Sequence, residues 1–438
     1  MGRQTSRGRS LRRLGARRWF AFLPVVSCLL LCLMSASVDA QSRGRGADEG
    51  LLPPDADAAW RKDPYTRGEP EATALAGYTA MGRLPWGDDH STMQIEEVLG
   101  TVQTLWVETA HFRVGSTLPE YKIEKEDKSK LQSDLKALKE RLPRVKVKVR
   151  ELDRWLRLHL YAMRLEDSYA KVQELLGVTD ADFPSTAEEA AAADPFMGNG
   201  VFLGLRDKFC VLLLEKRSSL GRYGQRYGKT SNASGDSPLR LGFHGRGSLA
   251  FVTTEEFFEG HFANDVSLHT HLVFNITIQL LNGFKDYYHA YPRWVIEGLA
   301  YGFMREVDEL HPTFSGIKEK LSEEIIETDW PVKVRKRVKV DYYPSAKTLM
   351  AWEQGEKLEF ADHTMMWSRV DYLLQEHPEG FRRFLHELKA PLPTSGRSPT
   401  YKEVLARQDE VMQTELGFDA DGFDEQWASW VLKTYPKR

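Results

Sequence analysis

HTHLVFNITIQLLNGFKDYYHAYPRWVIEGLAYGFM, residues 269–304, decides the reading of the whole chain. Val266, Phe274, Ile278 and Leu281 recur at helical spacing, which predicts a helix over about Asn264–Asn282. A second helix is predicted from about Arg293 to Val307. The first helix carries His271, Asn275 and Gln279, and the second carries Glu297. A carboxylate on so apolar a helix must pair or hydrogen-bond to offset the cost of burial. Asn275 or Gln279 can donate an amide hydrogen to it, bridging the two helices, and Arg293 and His271 are the other candidate partners.

Pro292-Arg293-Trp294, leading into Glu297-Gly298-Leu299-Ala300, resembles the glutamate-ligand helix of the gluzincins, the peptidase-MA-like zinc metallopeptidases. In that family the helix follows an HExxH helix at about this distance. HExxH works because residues i and i+4 share a helix face, so both imidazoles reach one zinc ion. The glutamate beside the first histidine polarises the metal-bound water, and the later glutamate completes the ligands. Two registers are open here. His271–Asn275 keeps one histidine; Asn275–Gln279 keeps none but leaves seventeen residues before Glu297, the spacing nearer to the family's and the preferred register. Either way Leu272 or Ile276 stands where the base belongs, and neither accepts a proton. The amides of Asn275 and Gln279 are much weaker zinc ligands than imidazole.

The resemblance therefore implies a degenerate member. Glu297 matches the third ligand and Trp294, Gly298 and Ala300 match its surroundings, while Asn275, Ile276 and Gln279 depart from the motif. It covers about residues 245–435, with 104–178 as a weaker extension. It implies an α+β, zincin-like fold, with a small mixed sheet packed on the motif helix, a C-terminal helical subdomain and a cleft between them. The expected function is that of a catalytically inactive metallopeptidase homologue that binds a peptide or glycan of the cell envelope, with no cofactor. The alternative is a divergent metal-dependent hydrolase. Were residues 268–272 extended, His269 and His271 would share a face and join Glu297 around zinc, with Asp265 or His261 nearby. As a helix the two histidines stand about 200° apart. A purely structural envelope protein is the third reading.

Working outward, Thr104–Ser116 has strand composition, and helices are expected at Glu124–Leu142 and Leu152–Leu176. Gly200–Glu215, with FCVLLL at its centre, reads as a buried strand, and Ser218–Gly247 as a mobile loop or flap over a cleft. Ser248–Thr254 reads as an edge strand beside that cleft. KVRKRVKV, residues 333–340, alternates like a strand with one solvated face. Helices are expected at 362–375, 378–388, 401–416 and 423–435. Four regions result: an export signal at 1–40, a flexible tether at 41–90, an N-terminal α+β region at 91–247 and a gluzincin-like region at 248–438.

Seven arginines, an apolar run from Trp19 to about Met34 and Val38-Asp39-Ala40 form the expected export signal, cleaved after Ala40. Arg17-Arg18-Trp19-Phe20 resembles a twin-arginine signal. Uncleaved, the run is a membrane anchor. Cleavage leaves 53 basic and 62 acidic residues, moving the net charge from −3 to −9. So acidic a chain carries no electrostatic footprint for nucleic acid. Cys28 and Cys32 lie in the signal, so Cys210 remains alone, without an intrachain disulfide or a cysteine zinc site. The chain has no G-x-S-x-G elbow, P-loop or dinucleotide fingerprint. Glu255, Glu256 and Glu259 read as a solvated face, and His261, His289 and His311 as surface or satisfied core residues.

Overall fold

The computed structural model describes residues 58–437, except 101, 229–234, 258–263, 287–290, 316–328, 354 and 392–398. The export signal and residues 41–57 of the expected tether lie outside the described residues. Six strands make the central sheet: β1 (Ala80–Met81), β2 (Leu105–Glu108), β3 (Phe112–Ser116), β6 (Phe209–Leu214), β7 (Leu239–Phe243) and β8 (Ser248–Thr254). A separate pair joins β4 (Tyr121–Lys122) to β5 (Glu151–Leu152). The order across the sheet is β1-β2-β3-β6-β8-β7. The β3–β6 and β6–β8 pairings are parallel and the rest antiparallel, so the sheet is mixed.

Fourteen α-helices accompany it among the described residues. They are α1 (Pro70–Leu75), α2 (Thr92–Leu99), α3 (Lys128–Arg141), α4 (Arg154–Leu176), α5 (Ala187–Ala192), α6 (Arg217–Tyr227), α7 (Asp265–Gly283) and α8 (Arg293–Val307), followed by a C-terminal set. That set comprises α9 (Trp330–Lys339), α10 (Ala346–Met350), α11 (Phe360–Glu376), α12 (Pro378–Leu388), α13 (Tyr401–Leu416) and α14 (Ala420–Thr434). The class is α+β, as the sequence implies.

The apolar run of β6 follows from its place in the middle of the sheet. Phe209, Val211 and Leu213 enter the larger core, which also takes apolar residues of α4, α7 and α8. Cys210, Leu212 and Leu214 enter a second core with Leu220 and Tyr223 of α6 and Ile95 and Leu99 of α2. A strand covered on both faces has no solvated side to mark with polar residues. Cys210 is 1% exposed, and burial pushes its thiol up to about 11.

Local signals set the helix bounds. Asp153 caps α4 by accepting from the Leu156 amide, and Gly177 ends it at φ 65°, a left-handed conformation that glycine adopts at low cost. Asn264 caps α7 by accepting from the Ser267 amide. Nearly every side chain of α7 is buried, because α4, α8 and β8 pack around it. Each fully buried Leu, Ile or Phe contributes about 1.5–3 kcal/mol.

Four expectations are corrected. Residues 58–90 read as tether from composition, yet Trp86 is fully buried and Asp63 sits 3.1 Å from His159 of α4. KVRKRVKV is helical: Trp330, Val334 and Val338 are buried at i, i+4 and i+8 on α9, and Asp329 caps it through the Val332 amide. Ser218–Gly247, read as a loop, contains α6 and β7, its residues 229–234 lying outside the described residues. β8 is not the edge; β7 pairs with it from Leu239↔Val252 to Phe243↔Ser248 and takes that place. The pairing also crosses the boundary expected between residues 247 and 248. No helix of the described residues is long and apolar enough to cross a membrane.

Candidate functional site

His271, Asn275 and Gln279 lie at i, i+4 and i+8 on the face of α7 that meets β8 and β7. His271 Nε2 lies 3.0 Å from the Thr253 hydroxyl of β8. The Gln279 amide donates to the Ala250 carbonyl of β8 at 2.8 Å. Asn275 donates to the His271 carbonyl at 2.8 Å, and its Oδ1 accepts from Nη2 of Arg240 on β7. Arg240 thus reaches from the edge strand onto the motif face of α7. Burial pushes the His271 imidazole down to about 3, and the Arg240 charge pushes the same way, so it is neutral at ordinary pH.

Glu297 is 1% exposed. Its Oε1 accepts from Arg293 Nε at 2.9 Å, one turn earlier on α8. Oε2 lies 3.4 Å from the Tyr301 hydroxyl, itself 2.8 Å from His363 Nδ1 on α11. Burial raises the Glu297 carboxyl, and Arg293, Arg240 and Tyr301 oppose the rise. The remaining Arg293 nitrogens donate to the Glu353, Glu356 and Ser315 carbonyls. Of the partners expected for Glu297, Arg293 is found; Asn275 and Gln279 are committed elsewhere. Tyr301 and His363 complete the cluster.

The other expected positions separate. His269 lies nearer Arg164 and Asp265 than Glu297; burial and Arg164 push its imidazole well down, and it has no part in the Glu297 cluster. Leu272 and Ile276 point into the large core. Trp294 is fully buried against Phe384 and Phe423, with its ring nitrogen donating to Gln408, and Ala300 is buried in the same core. Gly298 allows close passage of α11: a Cβ there would meet Val370 Cγ2 at 2.5 Å and the Met366 carbonyl at 2.8 Å. These three residues hold α8 against the C-terminal helices. His261, His289 and Glu259 lie outside the described residues, while His311 pairs with Asp308 at 2.8 Å. Glu255 pairs with Arg157, and Glu256 accepts from the Arg217 amide.

A divalent cation does not fit this donor set. The carboxylate is held by one guanidinium and faces a second, one imidazole stands beside a fixed cation, and the i+4 position offers an amide. Among the described residues, no three His, Cys, Asp or Glu side chains converge as metal ligands would. The arrangement offers instead a buried layer of neutral amides and imidazole with the Arg240 cation, exposed on β7, set against it. Beside it lies a cavity of about 310 Å³, lined among others by Arg206, Leu241, Leu249, Gln279 and Asn282.

Arg240 escaped sequence reading because it lies in a segment read as loop, although Leu239-Arg240-Leu241 alternates as a strand does. Tyr301 was marked only by its place four residues after Glu297, and His363 by nothing local. No protein-family model matches the chain, and a search of curated proteins finds no match.

Proposed function

We propose that the chain is an exported, non-hydrolytic relative of the gluzincins that binds an extended peptide in the cell envelope. The observation that carries this reading is Arg240, whose guanidinium bonds Asn275 and faces His271 and Glu297, the positions from which a zinc ion would be held. A fixed cation there repels a divalent ion, and Leu272 supplies no base to ionise water. The Arg240 contacts favour the His271–Asn275 register over Asn275–Gln279. Peptide is favoured over glycan by β7, an edge strand beside the cavity, because an extended chain can add to such an edge through its main chain. The N-terminal arginines and apolar run support export.

Purified protein should leave casein and mixed peptides uncleaved with or without added zinc, and should bind no stoichiometric metal. Zinc-dependent hydrolysis that disappears in Glu297→Ala would overturn the reading. Combining Arg240→Ala, Leu272→Glu and Asn275→His is expected to create zinc uptake, whereas Asn275→His, Ile276→Glu and Gln279→His is not. Elemental analysis of the two variants checks the register.

A further inference from the structure

Three arginines beside the sheet are neutralised by carboxylates. Arg113 and Arg246 both pair with Asp207, and Arg157 pairs with Glu255. The two arginines lining the cavity under β7 have no such ion pair, although Arg240 feels the charge of Glu297. Arg240 makes its side-chain bond to a neutral amide, and Arg206 donates to the His244 and Gly245 carbonyls at 2.8 and 3.1 Å. Neither has a carboxylate at ion-pair distance among the described residues. Among the described residues one acid lines the cavity, Asp286, and it accepts from Asn199 at 2.7 Å. Leu241 and Leu249 supply apolar wall, and Asn282 Oδ1 is a buried acceptor without a donor among the described residues. Among the described residues its two arginines have no ion-pair partner and its spare oxygen has no N–H, next to a strand edge that can hold main chain.

We propose that this cavity takes the carboxylate of an extended, apolar peptide, with the carboxylate on Arg240 and the neighbouring apolar side chain against Leu241 and Leu249. The inference rests on the reading of the cleft as a peptide groove and adds what the groove selects. A peptide C-terminus and an acidic side chain offer the same group, so both are probed.

Three fluorescent hexapeptides titrated into the full chain test it: Val-Ala-Val-Ala-Val-Phe as the free acid, the same as the C-terminal amide, and the amide with Glu replacing the final Phe. The free acid should bind about 10-fold tighter than the amide, as a charge-assisted pair to arginine allows. Arg240→Gln should remove that preference while the chain still unfolds in one cooperative transition, since Arg240 lies on an edge strand and bonds Asn275 alone among the described side chains. Arg206→Gln should weaken it less. If the Glu peptide binds as tightly as the free acid, the carboxylate preference stands and the site takes the group from a C-terminus or a side chain alike; if it binds no better than the Phe amide, the C-terminus is the source. Equal binding of all three by the parent protein overturns the carboxylate inference and leaves the groove standing; no binding by any overturns both.

Discussion

Arg293 and Glu297 form a buried pair whose halves are not equivalent. Arg293 keeps three carbonyl acceptors when Glu297 changes, whereas Glu297 without Arg293 is a buried carboxylate left with the Tyr301 hydroxyl at 3.4 Å and the neutral His363 ring at 3.8 Å. Arg293→Met should therefore cost about 3–5 kcal/mol, the range for a buried charge stripped of its partner. Glu297→Gln, which keeps an oxygen for Arg293 Nε, should cost about 1–3 kcal/mol. Urea unfolding of both variants checks the order, and the reverse order would sink this account of the site. The histidines make a separate prediction. His271 and His363 are pushed to about 3 by burial, with Arg240 and Arg293 as the second cause. A base whose folded pKa is depressed binds fewer protons folded than unfolded between that value and its ordinary 6.5, so stability falls as pH falls through this window and is flat above it. Each contributes up to about 1.4 kcal/mol per pH unit to that slope. His363→Gln should lower the slope by about that amount, measured as unfolding free energy at pH 5, 6 and 7.

Among the elements, α8 shows how the parts are fastened. Gly298→Ala would gain about 1 kcal/mol in helix propensity. Against that, a methyl 2.8 Å from the Met366 carbonyl cannot escape by rotating, and overpacking costs about 1–3 kcal/mol. The clash should win, so Gly298→Ala is expected to lower stability and Gly298→Val to lower it further, read by thermal unfolding. Legibility also differed by element. Residues 293–307 and 378–388 were readable to their ends because buried positions repeat at helical spacing between clear stops. α9 was not, because valines two apart imitate a strand, and the deciding pattern began at Trp330, outside the window read. α6 and β7 were hidden by glycine, serine and arginine, residues that mark loops in isolation but here line a second core. The site split the same way. His271, Asn275, Gln279 and Glu297 declared themselves by spacing, while Arg240 and His363 arrive from distant segments that only the folded sheet and helix packing bring near.

Across the whole molecule, the sheet joins strands far apart in sequence. β3 lies beside β6 in parallel, with α3, α4 and α5 between them in the chain, and residues 58–99 complete the packing from the N-terminal side. Pairings of such separation form late and slowly, because loop closure precedes any gain from contact. The described residues form one compact unit, so the peptide groove proposed at β7 lies on a body that does not divide there. Cys210 lies in the middle of that body, on β6, between two neighbouring strands and under α6. With Cys28 and Cys32 replaced by serine, a thiol-specific dye can reach it only when the molecule opens. Its labelling rate should rise with urea in step with global unfolding and fall when a peptide ligand is added. One native sulfur atom thus serves as a built-in clock for how often the protein comes apart.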